Sequence, residues 1–309
     1  MYKMKVINID KNAKLKIKKS YIALGNFDGL HRGHMKIINN LVDQSKKDKV
    51  KSAVLLFESH TNNSIYHSKQ KQLTTLDQKI KILEASEVDL VFIINFDEIK
   101  NFQAEDFIYF LKDNLNVCGV FVGYDYSFGK EARGDTSLLK SFAKNDFLVN
   151  ISKAEKFESE VVSSTIIKSY IQDNKLAQAE ALLNRPYILD GKVVPGKKLG
   201  STLGFPTANI QLATDYVLPS EGVYASEVFI GNKKYIAATS LGKNYTLDEK
   251  DLKIEAHIIN FNENIYNKDI GIHFIKKIRP MLKFSSTEEM TKNILKDIDL
   301  IKNGKFELE

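Results

Sequence analysis

The stretch that decides the fold of the first half joins an apolar run to a segment rich in glycine and histidine. Residues 21–34 read Tyr21-Ile22-Ala23-Leu24-Gly25-Asn26-Phe27-Asp28-Gly29-Leu30-His31-Arg32-Gly33-His34. The run at 21–24 predicts a buried strand, and apolar residues at helical spacing over 35–42 predict a helix after it. Glycines let a ligand approach the backbone, and a helix start offers free amides with partial positive charge. The segment therefore predicts a phosphate site at a strand-to-helix turn.

Strand and helix patterns alternate through the rest of the first half. We predict further strands at 52–57, 90–94 and 119–122, and helices at 79–85 and 104–115. Strands separated by helices favour a parallel sheet covered on both faces. Ligands bind such sheets beyond the carboxyl ends of the strands, which is where the 25–34 segment lies.

From about Tyr187 the pattern changes to short β-rich runs separated by turns. We predict six strands, at 188–194, 207–210, 223–230, 234–240, 253–261 and 270–278, and a last helix at 287–301. Gly231-Asn232 is typical of a hairpin turn, and Ser285 or Ser286 can cap the helix. Six strands without helices between them indicate a small antiparallel barrel. We place the domains at 1–184 and 185–309.

Composition excludes several classes of protein. The chain has 309 residues, of which 43% are hydrophobic and 27% charged, and a net charge of +6 that permits an anionic ligand without requiring nucleic acid. Its single cysteine excludes an intrachain disulfide and a cysteine-based zinc cluster. The N-terminus does not resemble a signal peptide, and no apolar stretch approaches the ~20 residues of a membrane span. We expect a cytoplasmic protein.

His31 and His34 are open to more than one interpretation. Two imidazoles at the positive end of a helix suit a phosphate whose charge builds during attack. The pair alone is more typical of a helix cap or of packing beneath the helix, and no third ligand for zinc stands nearby in sequence. The complete string at 25–34 favours nucleotide chemistry over both alternatives.

That string resembles the signature of the α/β nucleotidyltransferases, and Gly-Asn-Phe-Asp-Gly at 25–29 resembles the FAD synthetases of the bacterial bifunctional riboflavin kinase/FAD synthetase family. Those enzymes transfer AMP from ATP to FMN and release pyrophosphate. The resemblance implies that His31 and His34 bind the ATP phosphates and stabilise the transition state. Segments 122–129 and 162–168 also resemble family motifs. The nucleotide-binding residues implied for this half are Gly25, Asn26, Phe27, Asp28, Gly33, Asp125, Ser163, Ser164, Thr165 and Lys168.

Two departures from the family pattern occur in this half. Lys168 replaces the usual arginine, which keeps the charge but loses the two-pronged guanidinium. The segment at 57–61 lacks both prolines of the family's Phe-Glu-Pro-His-Pro, although it retains His60, the expected flavin-binding residue.

A second motif leads into the second predicted strand of the barrel and includes its first residues. Residues 204–209 read Gly204-Phe205-Pro206-Thr207-Ala208-Asn209. On a strand, Thr207 and Asn209 would project to one face, where their oxygens suit Mg²⁺ together with ATP. The alternative is an ordinary glycine- and proline-containing turn that leads into a strand.

This motif resembles the riboflavin kinase signature, and residues 254–258 resemble the Val-Glu-x-His strand of that family. The resemblance implies that Glu255 is the general base for the riboflavin 5′-hydroxyl, that Gly204, Thr207 and Asn209 bind nucleotide and Mg²⁺, and that Arg279 lies on the flavin side. The flavin side departs from the family, because Arg-Asp-Glu-x-Lys-Phe has become Arg279-Pro280-Met281-Leu282-Lys283-Phe284.

The resemblance implies an α/β Rossmann-like nucleotidyltransferase domain, then a six-stranded antiparallel β-barrel with a C-terminal helix. We predict FAD synthesis from FMN and phosphorylation of riboflavin, with ATP, Mg²⁺ and flavins as the small-molecule partners. One alternative is an FAD synthetase whose barrel is inactive. Others are a flavin or nucleotide sensor that binds nucleic acid through its lysines, and a transferase for a pantetheine or nicotinate nucleotide. We expect no nucleic-acid or membrane partner and leave transient self-association open.

Overall fold

The computed structural model describes residues 4–58, 71–143, 147–196, 200, 204–243 and 252–304. The chain divides into two compact units, residues 1–164 and 165–309. The helices between 164 and 183 group with the second unit, so the domain boundary after residue 184 stays a prediction.

The first unit contains a six-stranded parallel sheet. Its strands are β1 (Lys5–Asn8), β2 (Ser20–Ala23), β3 (Lys51–Phe57), β4 (Leu90–Ile94), β5 (Val117–Gly123) and β6 (Leu148–Ser152). Their order across the sheet is β1-β4-β3-β2-β5-β6, and every pair is parallel. The chain moves from β2 to β3 and β4 on one side, then returns to place β5 on the other side of β2. The order therefore reverses between β2 and β5, where the loops that follow both strands meet at one edge.

The helices of the first unit are α1 (Arg32–Asp48), α2 (Leu76–Glu84), α3 (Phe96–Ile99), α4 (Ala104–Tyr109) and α5 (Thr136–Ser141). One hydrophobic cluster joins the sheet to α1 and α2, and another joins it to α4 and α5. Helices on both faces explain why the central strands are almost continuously apolar. The helix predicted at 104–115 is α-helical only to Tyr109 and continues as a π-helix at Phe110–Asn114.

A short hairpin ends the first unit. Its strands are β7 (Lys156–Phe157) and β8 (Glu160–Val161), and the sequence patterns did not predict it. The Arg32 guanidinium lies over the Phe157 ring at 4.6 Å, and Lys36 pairs with Glu155 at 2.6 Å. These contacts place the hairpin beside the start of α1.

The second unit is a closed antiparallel barrel with helices before and after it. The elements are α6 (Ser164–Gln172), α7 (Leu176–Leu183), β9 (Ile188–Val194), β10 (Ala208–Leu212), β11 (Gly222–Ile230), β12 (Lys233–Gly242), β13 (Lys253–Ile258), β14 (Asp269–Arg279) and α8 (Thr287–Lys302). The barrel order is β10-β13-β12-β11-β14-β9. The predicted six-stranded barrel and its last helix are confirmed. Gly231 and Asn232 form the predicted turn, with Gly231 at φ +57°.

The last helix packs on the outside of the barrel through its apolar stripe. Ile298 and Ile301 form a small cluster with Ala225 and Ile259. The Ser286 hydroxyl accepts a hydrogen bond from the Glu289 amide at 3.1 Å, so Ser286 is the cap.

Candidate active sites

The loop after β2 has a strained backbone that buries two large side chains. Phe27 and Leu30 have φ values of +49° and +39°, and both side chains are fully buried. Such conformations cost non-glycine residues about 1–3 kcal/mol each and persist only where the surroundings enforce them. A Cβ on Gly25 would lie 3.3 Å from the Phe27 ring, so the glycine leaves room for that ring beneath the loop.

Asp28 is the buried carboxylate at the centre of this loop. It is only 3% exposed, and its Oδ1 accepts a hydrogen bond from the Leu73 amide at 2.8 Å. Its backbone carbonyl accepts a 2.8 Å hydrogen bond from the Ser164 hydroxyl. Asp28 thus ties the loop to two distant parts of the chain, and the second of them contains the predicted phosphate residue Ser164.

Two further side chains that hold this loop were not predicted from the sequence. The Thr74 hydroxyl accepts a hydrogen bond from the Gly29 amide at 3.0 Å, and the Lys79 ammonium donates to the Asn26 carbonyl at 3.1 Å. A signal for Lys79 was present in the sequence, because it occupies an apolar-face position of α2 beside Leu76, Ile80 and Leu83.

His31 and His34 lie together at the start of α1. His31 is the N-cap residue, and its Nδ1 accepts a 3.4 Å hydrogen bond from the His34 amide. The two rings are stacked with centroids 3.6 Å apart, and the His34 ring also meets the edge of Phe27 at 5.3 Å. A Cβ on Gly33 would lie 3.3 Å from the His31 ring. The capping interpretation is therefore correct, and it holds both imidazoles at the positive end of the helix.

Asp125 lies on the loop that follows β5. Asp125 is exposed, and its side chain folds back over Gly123. A Cβ on Gly123 would lie only 3.0 Å from Oδ1 of Asp125, so the glycine leaves room for the carboxylate. The loop belongs to the same edge of the sheet as residues 25–34. The structure thus gathers two of the predicted nucleotide segments where the strand order reverses.

The other predicted residues of this site are distributed differently. Ser163 and Ser164 belong to the first unit, whereas Thr165 and Lys168 lie in the first two turns of α6 in the second unit. His60 lies outside the described residues.

In the barrel, strand register brings Asn209 and Glu255 together. They are directly paired across β10 and β13, and cross-strand partners project to the same face. Their neighbours Ala208 and Ala256 are buried in the barrel, whereas Asn209 and Glu255 are only partly buried. The predicted base and one predicted metal ligand therefore share the outer face.

Thr207 stands immediately before β10, held by the residues around it. The Pro206 carbonyl lies 3.0 Å from Nδ1 of His257, whose ring also meets the edge of Phe205. A Cβ on Gly196 would collide with the Asn209 amide, so this glycine makes room for Asn209. Thr207 and Asn209 offer neutral oxygens, which fit Mg²⁺ together with ATP oxygens, and the Glu255 carboxylate beside them is left to accept a proton.

All three guanidinium nitrogens of Arg279, at the end of β14, donate hydrogen bonds. Its Nε donates to both carboxylate oxygens of Asp297 at 3.1 Å, and Nη2 donates to the same carboxylate at 2.8 Å. Nη1 donates to the Pro280 carbonyl at 3.1 Å. The arginine therefore fastens the end of the barrel to α8, and its flavin contact stays a prediction.

Known proteins match both units. The FAD synthetase family matches residues 13–166, and the riboflavin kinase family matches residues 183–304. A bifunctional riboflavin kinase/FMN adenylyltransferase from Buchnera aphidicola subsp. Schizaphis graminum is 35% identical and covers 97% of this chain and 98% of its own. The protein of the same name from Escherichia coli K12 is 34% identical and covers 89% and 90%.

A solved structure is similar over almost the whole length. It is described as a macrolide-efflux protein from Streptococcus pneumoniae, is 28% identical, and covers 96% of this chain and 99% of its own with a TM-score of 0.85. Within the described residues, no helix is long and apolar enough to cross a membrane. The chain belongs to the family of bifunctional riboflavin kinase/FMN adenylyltransferases.

Proposed function

We propose that the protein makes FAD in two steps, phosphorylation of riboflavin to FMN by the barrel and adenylyl transfer from ATP to FMN by the first unit. The observation that supports the proposal is that each unit brings together two side chains that suit its own reaction. His31 and His34 stack at a helix start in the first unit, and Asn209 faces Glu255 in the second.

In adenylyl transfer, a phosphate oxygen of FMN forms a bond to the α-phosphorus of ATP while the bond to the leaving pyrophosphate breaks. His31 and His34 donate hydrogen bonds to the phosphate oxygens as negative charge builds, which lowers the barrier because the donors are already in place. We assign Ser163, Ser164, Thr165 and Lys168 to the pyrophosphate by their resemblance to the family motif. Gly25, Asn26, Phe27, Asp28, Gly33 and Asp125 form or support the nucleotide site.

In the kinase reaction, Glu255 takes the proton from the riboflavin 5′-hydroxyl as that oxygen forms a bond to the γ-phosphorus of ATP. The bond from the γ-phosphorus to the β,γ-bridging oxygen breaks, and ADP leaves. Thr207 and Asn209 would hold Mg²⁺, with Gly204 near the nucleotide. When bound, Mg²⁺ would neutralise charge on the ATP phosphates.

The second candidate is FAD synthesis alone, with a barrel that does not turn over riboflavin. The Arg279-Pro280-Met281-Leu282 segment favours it, because the acidic pair of the family is gone and Arg279 is occupied by Asp297. Pro280 also removes an amide donor.

Two further expectations, the cellular location and the partners of the protein, accompany this proposal. We infer a cytoplasmic enzyme whose partners are ATP and flavins, without a role for nucleic acid. A steep fall of nucleic-acid affinity with salt would instead support the sensor hypothesis.

Chromatography of the flavins formed with ATP–Mg²⁺ tests these alternatives. FAD from both riboflavin and FMN is the expected result. FAD from FMN alone would identify a synthetase with a silent barrel. No product from either substrate would refute both catalytic assignments.

A further inference from the structure

Lys79 is the only lysine that is buried among the described residues, with 7% of its surface exposed. It lies in the first half of α2, where its amide donates to the Thr75 carbonyl and a capping box of Thr75 and Gln78 fixes the helix start. Burying an ammonium costs free energy that must be offset by good hydrogen bonds. One such bond goes to the Asn26 carbonyl, inside the loop that leads to His31.

The position of this bond matters because the loop contains two residues with unfavourable backbone conformations. Phe27 and Leu30 have left-handed backbone conformations that relax unless neighbouring groups enforce them. Lys79 holds the loop at Asn26, immediately before the first strained residue. Thr74 holds it at Gly29, immediately before the second.

The end of this loop determines the positions of both histidine rings. His31 caps α1 and stacks on His34, so a displacement of the loop moves both rings. Misplacing a catalytic group by about 1 Å can cost about 100-fold in rate.

We propose that Lys79 is a positioning residue for adenylyl transfer, which holds the Asn26 carbonyl and thereby fixes the loop that places His31 and His34. The inference rests on the proposed role of the two histidines. Lys79 acts through the loop, so its loss lowers the rate of the chemical step more than the binding of either substrate.

The test compares Lys79→Met with Lys81→Met in the full-length enzyme. Lys81 lies on the same helix and is exposed, so it is a matched control. We expect Lys79→Met to lower kcat of FAD synthesis by about 100-fold and to raise KM for ATP and FMN much less, because the displaced histidines act most strongly on the charge that builds in the transition state. Riboflavin kinase activity of the same variant is measured to check that the barrel remains folded and active. Lys79→Arg, which keeps a long donor, should retain clearly more synthetase activity than Lys79→Met.

Several results would overturn the inference. These are normal kcat in Lys79→Met, a raised KM for ATP with normal kcat, equal losses in the methionine and arginine variants, and joint loss of both activities. His31→Ala in the same assay separates this inference from the proposed function. Normal synthesis in His31→Ala would refute the function assigned to the histidines, whereas a normal Lys79→Met beside an inactive His31→Ala would refute only the role of Lys79.

Discussion

The two candidate sites are built in opposite ways. In the first unit, the catalytic loop is buried, strained and held by hydrogen bonds from residues far along the chain, such as Leu73 to Asp28. In the barrel, Asn209 and Glu255 are partly buried on regular strands, and the strand register places them side by side. The first site depends on tertiary contacts that enforce an unfavourable backbone conformation. The second site depends on the backbone hydrogen bonds of a regular strand pair.

This difference predicts different penalties for substitution. In the first unit, changing the residues that hold the loop should affect stability and activity together. On the outer face of the barrel, changing a catalytic side chain should remove activity and leave the fold intact. The four predictions below test this contrast, beginning with the largest expected effect.

Glu255→Gln should lower riboflavin kinase turnover by about 10²–10⁴-fold, the usual contribution of a general base. FAD synthesis from FMN and the melting temperature should stay unchanged, because the side chain lies partly exposed on a regular strand. Glu263→Gln, an exposed carboxylate in the same unit, is the matched control. Unchanged kinase turnover would remove Glu255 as the base, and a large loss of stability would break the contrast between the two sites.

His31→Ala should lower FAD synthesis by about 10²–10³-fold, as expected for loss of a preorganised donor to developing charge. It should also destabilise the first unit by about 1 kcal/mol, because the N-cap hydrogen bond of α1 disappears. Kinase activity should be unaffected.

His31→Asn separates the two roles of this histidine. Asparagine is a good N-cap, so this variant should regain the lost stability without regaining synthesis. Steady-state rates and chemical denaturation measure the two quantities. Recovery of synthesis in the asparagine variant would show that capping was the whole contribution of His31.

Asp297→Asn should destabilise the second unit by about 2–3 kcal/mol, since it weakens the charged hydrogen bonds to a largely buried arginine. Arg279 and Asp297 are 18% and 10% exposed, so solvent screens this pair little. Denaturant unfolding followed by circular dichroism measures the loss, with Asp299→Asn on the exposed side of the same helix as the control. An unchanged midpoint would show that the pair does not stabilise the second unit.

The amino-acid sequence predicted most of the fold because the periodicity was strong. Buried strands such as Leu90–Ile94 and the apolar stripe of α8 match the structure closely. The strand Lys5–Asn8 was missed because it is only four residues long and mostly exposed, so its two apolar residues form neither a continuous run nor an alternating pattern.

The sequence motifs predicted where the candidate sites lie but not which distant residues hold them in place. Glycines and histidines at 25–34 indicated the place, but the residues that hold the loop lie about 45 positions further along the chain and have no local relation to it. The pairing of Asn209 with Glu255 depends on which strands are neighbours in the barrel. Which strands become neighbours is determined by tertiary structure and cannot be predicted from the β-propensity of the local sequence.

The smallest expected effect is the change in stability of the second unit with pH. His273 is buried between Glu180, 2.7 Å from Nε2, and Glu227, 3.1 Å from Nδ1, while Lys234 pairs with the other oxygen of Glu227. Burial lowers the pKa of His273, but the hydrogen bonds and charges of the two carboxylates outweigh it and raise the pKa above its ordinary value. Because the folded-state pKa is raised, this stabilisation is complete below about pH 6.5, the unfolded value, and is lost as the pH rises through the folded-state value.

The free energy of unfolding of the wild type should therefore fall as the pH rises above about 6.5, and His273→Gln should flatten that part of the profile. Denaturant titrations at successive pH values measure it, and Glu180→Gln should flatten it in part, because Glu227 remains. FAD synthesis from FMN should follow the same pH profile in wild type and variant, since His273 and both carboxylates belong to the second unit. A stability profile that is the same with and without His273 would show that the imidazole is neutral in the folded barrel, and that the two carboxylates only orient it.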